Sequence, residues 1–281
     1  MDDESVFLGL GTTVASRGYL GRTARKELLT ALERYATIAR GLGADEITFL
    51  GTEPIRRAAD AAAIVHDVTA ATGMPLHVLS HEEEAYLTII GVTEGQPVTH
   101  ETLVIDIGGG SSEFCVVDPA RPPHAIGLRL GSARLTDRFV THDPPEPAEI
   151  EAMHAAALDA VAGAPASNPA EIVAVGGTAS NLRKVVAAAP DALGQEHIAE
   201  ATVLLGSMPA AEATARFAIN PVRARILPAG AVILAAILDH YGVAEVRVSE
   251  AGIREGAILA VDHAGPAWRD RLAELAHGWR G

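Results

Sequence analysis

The chain has 281 residues, of which 48% are apolar and 4% aromatic, so we expect a core of Ala, Val, Leu and Ile in one large or two moderate domains. A formal net charge of −14 argues against a broad basic surface for nucleic acid, so any phosphate would have to be bound locally. The single Cys115 excludes an intrachain disulfide and a cysteine zinc cluster. The acidic start and the lack of a long unbroken apolar run predict a cytoplasmic protein that does not interact with a membrane.

Helical and strand patterns alternate through the first part of the chain. In order, the patterns predict a helix over 23–43, a strand over 46–52, a helix over about 57–73, a strand over 76–80, a helix over 82–92, and strands over 102–108 and 113–118. This order is typical of an α/β protein.

The alternation resumes after residue 118. The predicted elements are a strand over 124–131, helices around 132–139 and 147–162, a strand joined through glycines to a helix over 171–182, a helix over 227–242, a strand over 244–250 and a helix over 252–263. Within this part, "VAVGGTAS" echoes the earlier "VIDIGGGSS". Two such loops facing each other would suit a ligand with more than one phosphate.

The stretch "LVIDIGGGSSEF" carries the strongest chemical signal. Gly108, Gly109 and Gly110 would let a ligand approach the backbone closely or let the backbone reach positive φ, and successive N–H groups in such a turn bind anions. Asp106, at the end of a strand, could hold Mg²⁺ directly or through water. The alternative is a hairpin with a glycine-rich turn, although hairpin turns usually need only one or two glycines.

Two other stretches are weaker candidates for phosphate contacts. In "VGGTASN", Gly176, Gly177 and Thr178 at a predicted helix start would present N–H groups and a hydroxyl, but glycine before a Thr N-cap is also ordinary. In "GTEPIRRAAD", Arg56 or Arg57 could bind a phosphate, or the two could be a surface pair at a helix start.

The stretch "SHEEEAYL" offers a candidate general base. Consecutive helical residues point about 100° apart, so the three glutamates cannot all face one site. One of them could polarise a water for attack on phosphorus. Spacing alone does not choose among Glu82, Glu83 and Glu84, and all three could be a solvated first turn at the positive end of the helix dipole.

Six motifs in order resemble the exopolyphosphatase / guanosine pentaphosphate phosphohydrolase family. They are "GTEPIRRAAD", "LSHEEEAYLTIIGV", "LVIDIGGGSSEF", "LRLGSARLTDRF", "VAVGGTASNL" and "VSEAGIREGAIL". The resemblance implies an α/β fold of two ribonuclease-H-like lobes in the actin/hexokinase/Hsp70 superfamily, here over residues 1–115 and 116–281. It also implies a hydrolase of phosphoanhydride bonds that uses Mg²⁺ to release terminal phosphate from polyphosphate or to convert pppGpp to ppGpp.

The resemblance also implies roles for individual residues. The glutamate immediately before the small residue of the motif is Glu84, the catalytic candidate, and Glu113 would help it by positioning the metal or the attacking water. Asp106 would hold the metal. The implied phosphate-binding residues are Arg56, Gly108, Gly109, Gly110, Ser111, Gly176, Gly177 and Thr178.

The N-terminus departs from the family pattern. The family's opening strand and Asp-x-Gly-Ser-Asn-Ser loop have no counterpart in "MDDESVFLGLGTT", so we expect an N-terminally truncated first lobe with an exposed sheet edge. This departure motivates an alternative function, a catalytically impaired regulatory binder of guanosine penta- or tetraphosphate or of polyphosphate. A kinase of the same superfamily is a third reading. A homodimer is expected because it is common in the family.

Overall fold

The computed structural model describes residues 4, 6, 8–186 and 191–279, which divide into two compact units, Met1–Ser80 and His81–Gly281. The predicted boundary between residues 115 and 116 falls instead inside the strand Ser112–Asp118. That strand is hydrogen bonded to a neighbour on each side within one sheet, so a domain division there would cut the sheet.

The first unit packs four helices with a two-stranded parallel sheet. Its elements are α1 (Leu10–Arg17), α2 (Gly21–Gly41), β1 (Phe49–Gly51), α3 (Glu53–Arg57), α4 (Ala61–Thr72) and β2 (Leu76–Val78). The helix predicted over about 57–73 begins later, at Ala61 of α4, and the separate short helix α3 precedes it. The Asp60 carboxylate accepts hydrogen bonds from the backbone N–H groups of Leu20 (2.9 Å) and Gly21 (3.1 Å), and so ties the α3–α4 junction to the start of α2.

The second unit continues the chain through nine helices and six strands in its described part. They are α5 (His81–Thr93), β3 (Thr102–Ile107), β4 (Ser112–Asp118), β5 (Arg121–Leu128), α6 (Ser132–Phe139), α7 (Pro147–Val161), β6 (Glu171–Val175), α8 (Gly176–Val185), β7 (Ala192–Gly194), α9 (Gln195–Gly206), α10 (Ala210–Phe217), α11 (Pro221–Tyr241), β8 (Glu245–Val248), α12 (Ile253–Ala264) and α13 (Leu272–Leu275). The strand and helix patterns predicted over 102–162 are confirmed to within a few residues.

The six strands form one mixed sheet in the order β5-β4-β3-β6-β8-β7. The hairpin predicted across the glycine run is present, since β3 and β4 are antiparallel neighbours. On its other side β3 pairs in parallel with β6, which in turn pairs in parallel with β8. At the far edge β7 pairs antiparallel with β8. Without this edge strand, the order of three antiparallel strands followed by two parallel ones is that of a ribonuclease-H-like lobe, as the family resemblance implies.

Helix α11 is the central core helix of the second unit. It begins two turns earlier than predicted, at Pro221 after the N-cap Asn220, whose side chain accepts a hydrogen bond from Val222 N (3.0 Å). By length and composition it is the one helix in the described ranges that could cross a membrane, but 67% of its apolar window is buried inside the protein. It packs against α6, α7, α8 and α9, which is the pattern of a core helix.

Candidate active site

The candidate residues of the second unit meet at the carboxyl ends of β3 and β6. Asp106, next to last in β3, lies opposite Glu113 of β4 on one side and opposite Val175 of β6 on the other. The chain leaves β3 toward β4 and leaves β6 into α8. In open α/β sheets ligands bind in the crevice outside the strand ends where such connections diverge. The topology therefore points to this edge of the sheet.

Helix α6 holds the glycine loop that follows Asp106. Gly108 O accepts hydrogen bonds from Ser132 N (2.9 Å) and Ser132 Oγ (3.1 Å). Gly109 O accepts from Arg134 N (3.0 Å), and Gly110 O accepts from Arg134 Nε (2.9 Å). The loop carbonyls thus take up donors in the first turn of α6 that a helix leaves without intrahelical partners.

This arrangement turns a row of N–H groups away from α6. In a planar trans peptide the C=O of one residue and the N–H of the next point in opposite directions. Because the carbonyls of Gly108, Gly109 and Gly110 face α6, the N–H groups of Gly109, Gly110 and Ser111 face the other way. They have no hydrogen-bond acceptor in the part of the chain that the structure describes. Successive N–H groups of this kind form an anion-binding concavity.

The loop glycines are needed for space rather than for positive φ. None of Gly108, Gly109 and Gly110 lies in the left-handed region, so the suggestion that the loop uses positive φ is wrong. A Cβ at Gly110 would meet nothing within 4 Å, which leaves room for a ligand to reach the backbone. At Gly131, just before α6, a Cβ would collide with the backbone of Gly109 and Gly110, so that glycine permits the close approach of the loop.

Asp106 is the electrostatic centre of the site. Burial, together with the nearby carboxylates of Glu113 and Glu84, raises the pKa of its carboxyl to about 7, while the Arg223 guanidinium opposes the shift. Ser111 Oγ donates to Glu113 Oε1 (2.7 Å). The Ser111 side chain is thus hydrogen bonded to the glutamate, whereas the backbone N–H of Ser111 is part of the row in the glycine loop. Three carboxylates and one guanidinium therefore interact at the strand ends.

In the structure the three glutamates at the start of α5 have different environments, which their spacing in the sequence did not predict. Glu82 is exposed on α5. Glu83 accepts two hydrogen bonds from Arg269, at 2.5 Å from Nε and 2.9 Å from Nη2. Glu84 is half-buried and is the one of the three whose charge acts on Asp106. Of the three, Glu84 is thus the glutamate that the structure brings to the candidate site.

The second glycine pair lies at the start of α8, which has no side-chain N-cap. Gly176 has φ of 78°, and a Cβ there would come within 2.5 Å of Asp106 Oδ1. At Gly177 a Cβ would collide with the Arg223 guanidinium. Both glycines therefore border the site, and their predicted contact with phosphate through N–H groups stays a prediction.

The role predicted for the Thr178 hydroxyl is corrected. Its Oγ1 donates to Ile107 O at 2.7 Å, and the side chain is buried, with its Cγ2 2.5 Å from where a Cβ of Gly230 would lie. A hydroxyl that donates to a backbone carbonyl cannot donate the same proton to phosphate. The side chain of Thr178 instead joins α8 to the end of β3.

Arg56 belongs to the first unit. It lies in α3, and its Nη1 donates to Leu79 O at 2.5 Å, so the guanidinium links α3 to the segment that follows β2. Leu79 N in turn donates to Gly51 O at 2.8 Å. The phosphate contact predicted for Arg56 stays a prediction.

Sequence reasoning missed three residues of this site. Arg223, in the first turn of α11, acts on Asp106 and lies over Gly177. Arg134 donates hydrogen bonds to the carbonyls of the glycine loop. It lies in the motif "LRLGSARLTDRF", from which the sequence predicted no role for it. The His81 ring lies against β5, since a Cβ at Gly127 would be 3.3 Å from its Nδ1 and 3.8 Å from Glu113 Oε1. An arginine three residues after the N-cap of a core helix was the available signal for Arg223.

Comparisons with known proteins show the family and the fold of the chain. The model of the Ppx/GppA phosphatase family matches residues 1–263. Exopolyphosphatase 1 of Mycobacterium tuberculosis is 26% identical over 274 residues, covering 92% of this chain and 79% of the relative. The crystal structure of the Aquifex aeolicus Ppx/GppA family member superimposes with a TM-score of 0.79 at 24% identity, covering 92% of this chain and 88% of that chain. An exopolyphosphatase structure from Cytophaga hutchinsonii gives a TM-score of 0.81 at 19% identity, with 93% and 89% covered.

Proposed function

Because the chain belongs to the Ppx/GppA phosphatase family, and so to the hydrolases of phosphoanhydride bonds, we propose that it releases terminal phosphate from inorganic polyphosphate. The observation that carries this proposal is the row of outward N–H groups at Gly109, Gly110 and Ser111 beside the carboxylates of Asp106, Glu113 and Glu84. A phosphate cradle next to carboxylates that can orient water is what phosphoanhydride hydrolysis requires.

In the proposed mechanism the loop binds the terminal phosphoryl group. The N–H dipoles of Gly109, Gly110 and Ser111 offset the charge on its oxygens, and Arg223 adds a cationic group at the same edge of the sheet. Glu84 orients the attacking water and takes a proton from it. As the water oxygen bonds to the terminal phosphorus, the bond from that phosphorus to the bridging oxygen breaks, and the shortened polyphosphate leaves with the bridging oxygen.

The site suits a Mg²⁺ ion. Carboxylate oxygens are its preferred protein ligands. Besides burial, the negative charges of Glu113 and Glu84 raise the pKa of Asp106, and a divalent cation would offset this charge. Among the described residues no group of three or more His, Cys, Asp or Glu side chains could enclose a metal ion. Asp106 and Glu113 would therefore hold Mg²⁺ together with water and substrate oxygens, as Mg²⁺ sites in phosphoryl-transfer enzymes commonly do. When bound, Mg²⁺ neutralises charge on the transferring phosphoryl group.

We propose pppGpp as a second substrate, because it ends in the same phosphoanhydride linkage and the six sequence motifs resemble a family that includes guanosine pentaphosphate phosphohydrolases. Homodimer formation and a cytoplasmic location remain expectations from the sequence.

Phosphate release from polyphosphate and from pppGpp, measured colorimetrically with Mg²⁺ and with EDTA, tests the proposal. We expect Mg²⁺-dependent release from at least one of the two. Binding of both ligands by calorimetry without any release would contradict hydrolysis and support the alternative function, a regulatory binder.

A further inference from the structure

The C-terminal segment 265–279, which we name the strap, lies outside the region that the family model matches. It consists of two short 3-10 turns, Gly265–Ala267 and Arg269–Arg271, followed by α13 and a short tail. Its apolar side chains are buried: Trp268, Leu272 and Leu275 are 4%, 2% and 1% exposed. Because α13 contacts α5, the strap covers the helix that carries Glu84.

At the N-terminal end of α5 the strap forms a bidentate ion pair. Arg269 Nε and Nη2 donate to the two carboxylate oxygens of Glu83 at 2.5 and 2.9 Å. Bidentate arginine–carboxylate pairs fix orientation as well as distance. Glu84 follows Glu83 about 100° further round the helix, so fixing Glu83 on one side also sets the direction of Glu84.

At the other end of α5 the strap forms a backbone and ring contact. Trp279 N donates to Gly95 O at 2.9 Å. A Cβ at Gly95 would come within 2.7 to 2.9 Å of three atoms of the Trp279 ring, which also stacks on His263 of α12 at 4.7 Å between ring centroids. The strap therefore contacts the first turn of α5 at Glu83 and the turn that follows its last residue at Gly95.

A third contact holds the middle of α5. Gly256 of α12 lies so close to Leu87 O that no Cβ could be accommodated, and Gly91 lies equally close to Gly252 O. This contact sets the distance between α5 and α12. It lies one to two turns beyond Glu84. The first turn of α5 also packs on β4 and β5, with the His81 ring against β5, and the strap adds the Arg269–Glu83 pair there.

We propose that the strap is a positioning element of the active site, with Arg269 as the positioning residue that directs Glu84 toward Asp106 by holding Glu83. The effect on catalysis rests on the proposed function, whereas the effect on α5 does not. Arg269 touches no reacting atom in this account. Its contribution is geometric, and misplacement of a catalytic group by about 1 Å can cost a factor of about 100 in rate.

The test compares Arg269→Gln, Arg269→Lys and Arg271→Gln in the full chain. Arg271 is the matched control, because it lies in the same strap but pairs with the exposed Glu274, at 2.7 and 3.0 Å. Each protein is assayed for kcat and KM with polyphosphate and Mg²⁺, and for amide hydrogen exchange across residues 82–94. Trp279→Ala, which loosens the opposite end of α5, replaces Arg269→Gln if that variant does not fold.

We expect Arg269→Gln to lower kcat about tenfold or more with little change in KM, and to speed exchange in the first turns of α5. Arg269→Lys should recover part of the activity, and Arg271→Gln should match the wild type. Unchanged exchange in α5, unchanged kcat, or an equal loss in Arg271→Gln would each overturn the proposal. Absence of phosphate release by the wild type would defeat the proposed function alone, since the exchange measurement still decides whether the strap holds α5.

Discussion

The Asp106 carboxylate lies directly against the backbone of Gly176: a Cβ at Gly176 would come within 2.5 Å of Asp106 Oδ1. Gly176 also has φ of 78°, so two independent constraints require glycine there. One constraint is conformational. The other is the presence of the carboxylate that we propose as a metal ligand.

Gly176→Ala should therefore lose both stability and activity. The left-handed conformation costs an alanine about 1–2 kcal/mol, and the new methyl group would also displace Asp106. Gly242→Ala is the matched control, because Gly242 has φ of 64° but a Cβ there would meet nothing within 4 Å. Denaturation midpoints and phosphate release are measured for both variants. Equal activity in the two folded variants would show that contact with Asp106 does not matter.

Gly110→Ala should leave stability unchanged and weaken substrate binding. A Cβ at Gly110 meets no protein atom within 4 Å, and the residue does not need positive φ. The methyl group would instead occupy the space beside the loop N–H groups that we assign to phosphate. We expect an unchanged melting temperature and a raised KM for polyphosphate. An unchanged KM would mean that phosphate does not approach this face of the loop.

Asp106→Asn should stabilise the metal-free protein, and more so at higher pH. The native carboxyl has a pKa raised to about 7 from a reference value of 3.8, so between these pH values the native state binds more protons than the unfolded state. Wild-type stability therefore falls as pH rises from about 4 to about 7 and then levels off, by up to about 4 kcal/mol. Asparagine does not titrate, so the variant does not lose stability in this way as the pH rises. Denaturation midpoints in EDTA at several pH values test this, and a pH-independent difference between the two proteins would contradict it.

Arg223→Gln should shift the pH dependence of catalysis. The Arg223 guanidinium lowers the pKa of Asp106, so its removal should raise that pKa above about 7. The acid limb of kcat/KM should move to higher pH, and activity at neutral pH should fall at least about tenfold. Arg225→Gln is the control, because Arg225 donates to His142 O at 2.7 Å and pairs with Asp143 at 3.7 Å. Superimposable pH profiles for the two variants would contradict the assignment of Arg223.

Much of the fold could be predicted from local pattern. The strands on either side of the glycine loop are continuous apolar runs, and the hairpin follows from the short connection between them. The order of the strands in the sheet could not be predicted this way, because it depends on β3 pairing with β6, in which paired residues are 69 positions apart. Local sequence gives each strand but not its neighbours in the sheet.

Only part of the candidate site could be predicted, because local sequence shows residues that are adjacent in the chain but not contacts between distant residues. Asp106 and the glycine loop are adjacent in sequence, so their chemistry is visible there. The choice of Glu84 over Glu83 depends on Arg269, which lies 186 residues beyond Glu83. The Thr178 hydroxyl was assigned to phosphate because its bond to Ile107 O, 71 residues earlier in the chain, leaves no trace in the local motif.

The central claim is that this chain hydrolyses phosphoanhydrides with Glu84 as the general base. The most direct test compares phosphate release from polyphosphate with Mg²⁺ by the wild type, Glu84→Gln and Glu82→Gln. Glu82 is the matched control: it is a glutamate of the same helical turn, exposed at the surface. We predict that Glu82→Gln retains wild-type activity and that Glu84→Gln loses about 100-fold or more in kcat. Equal activity of Glu84→Gln and wild type, or equal loss in the two variants, would contradict the claim.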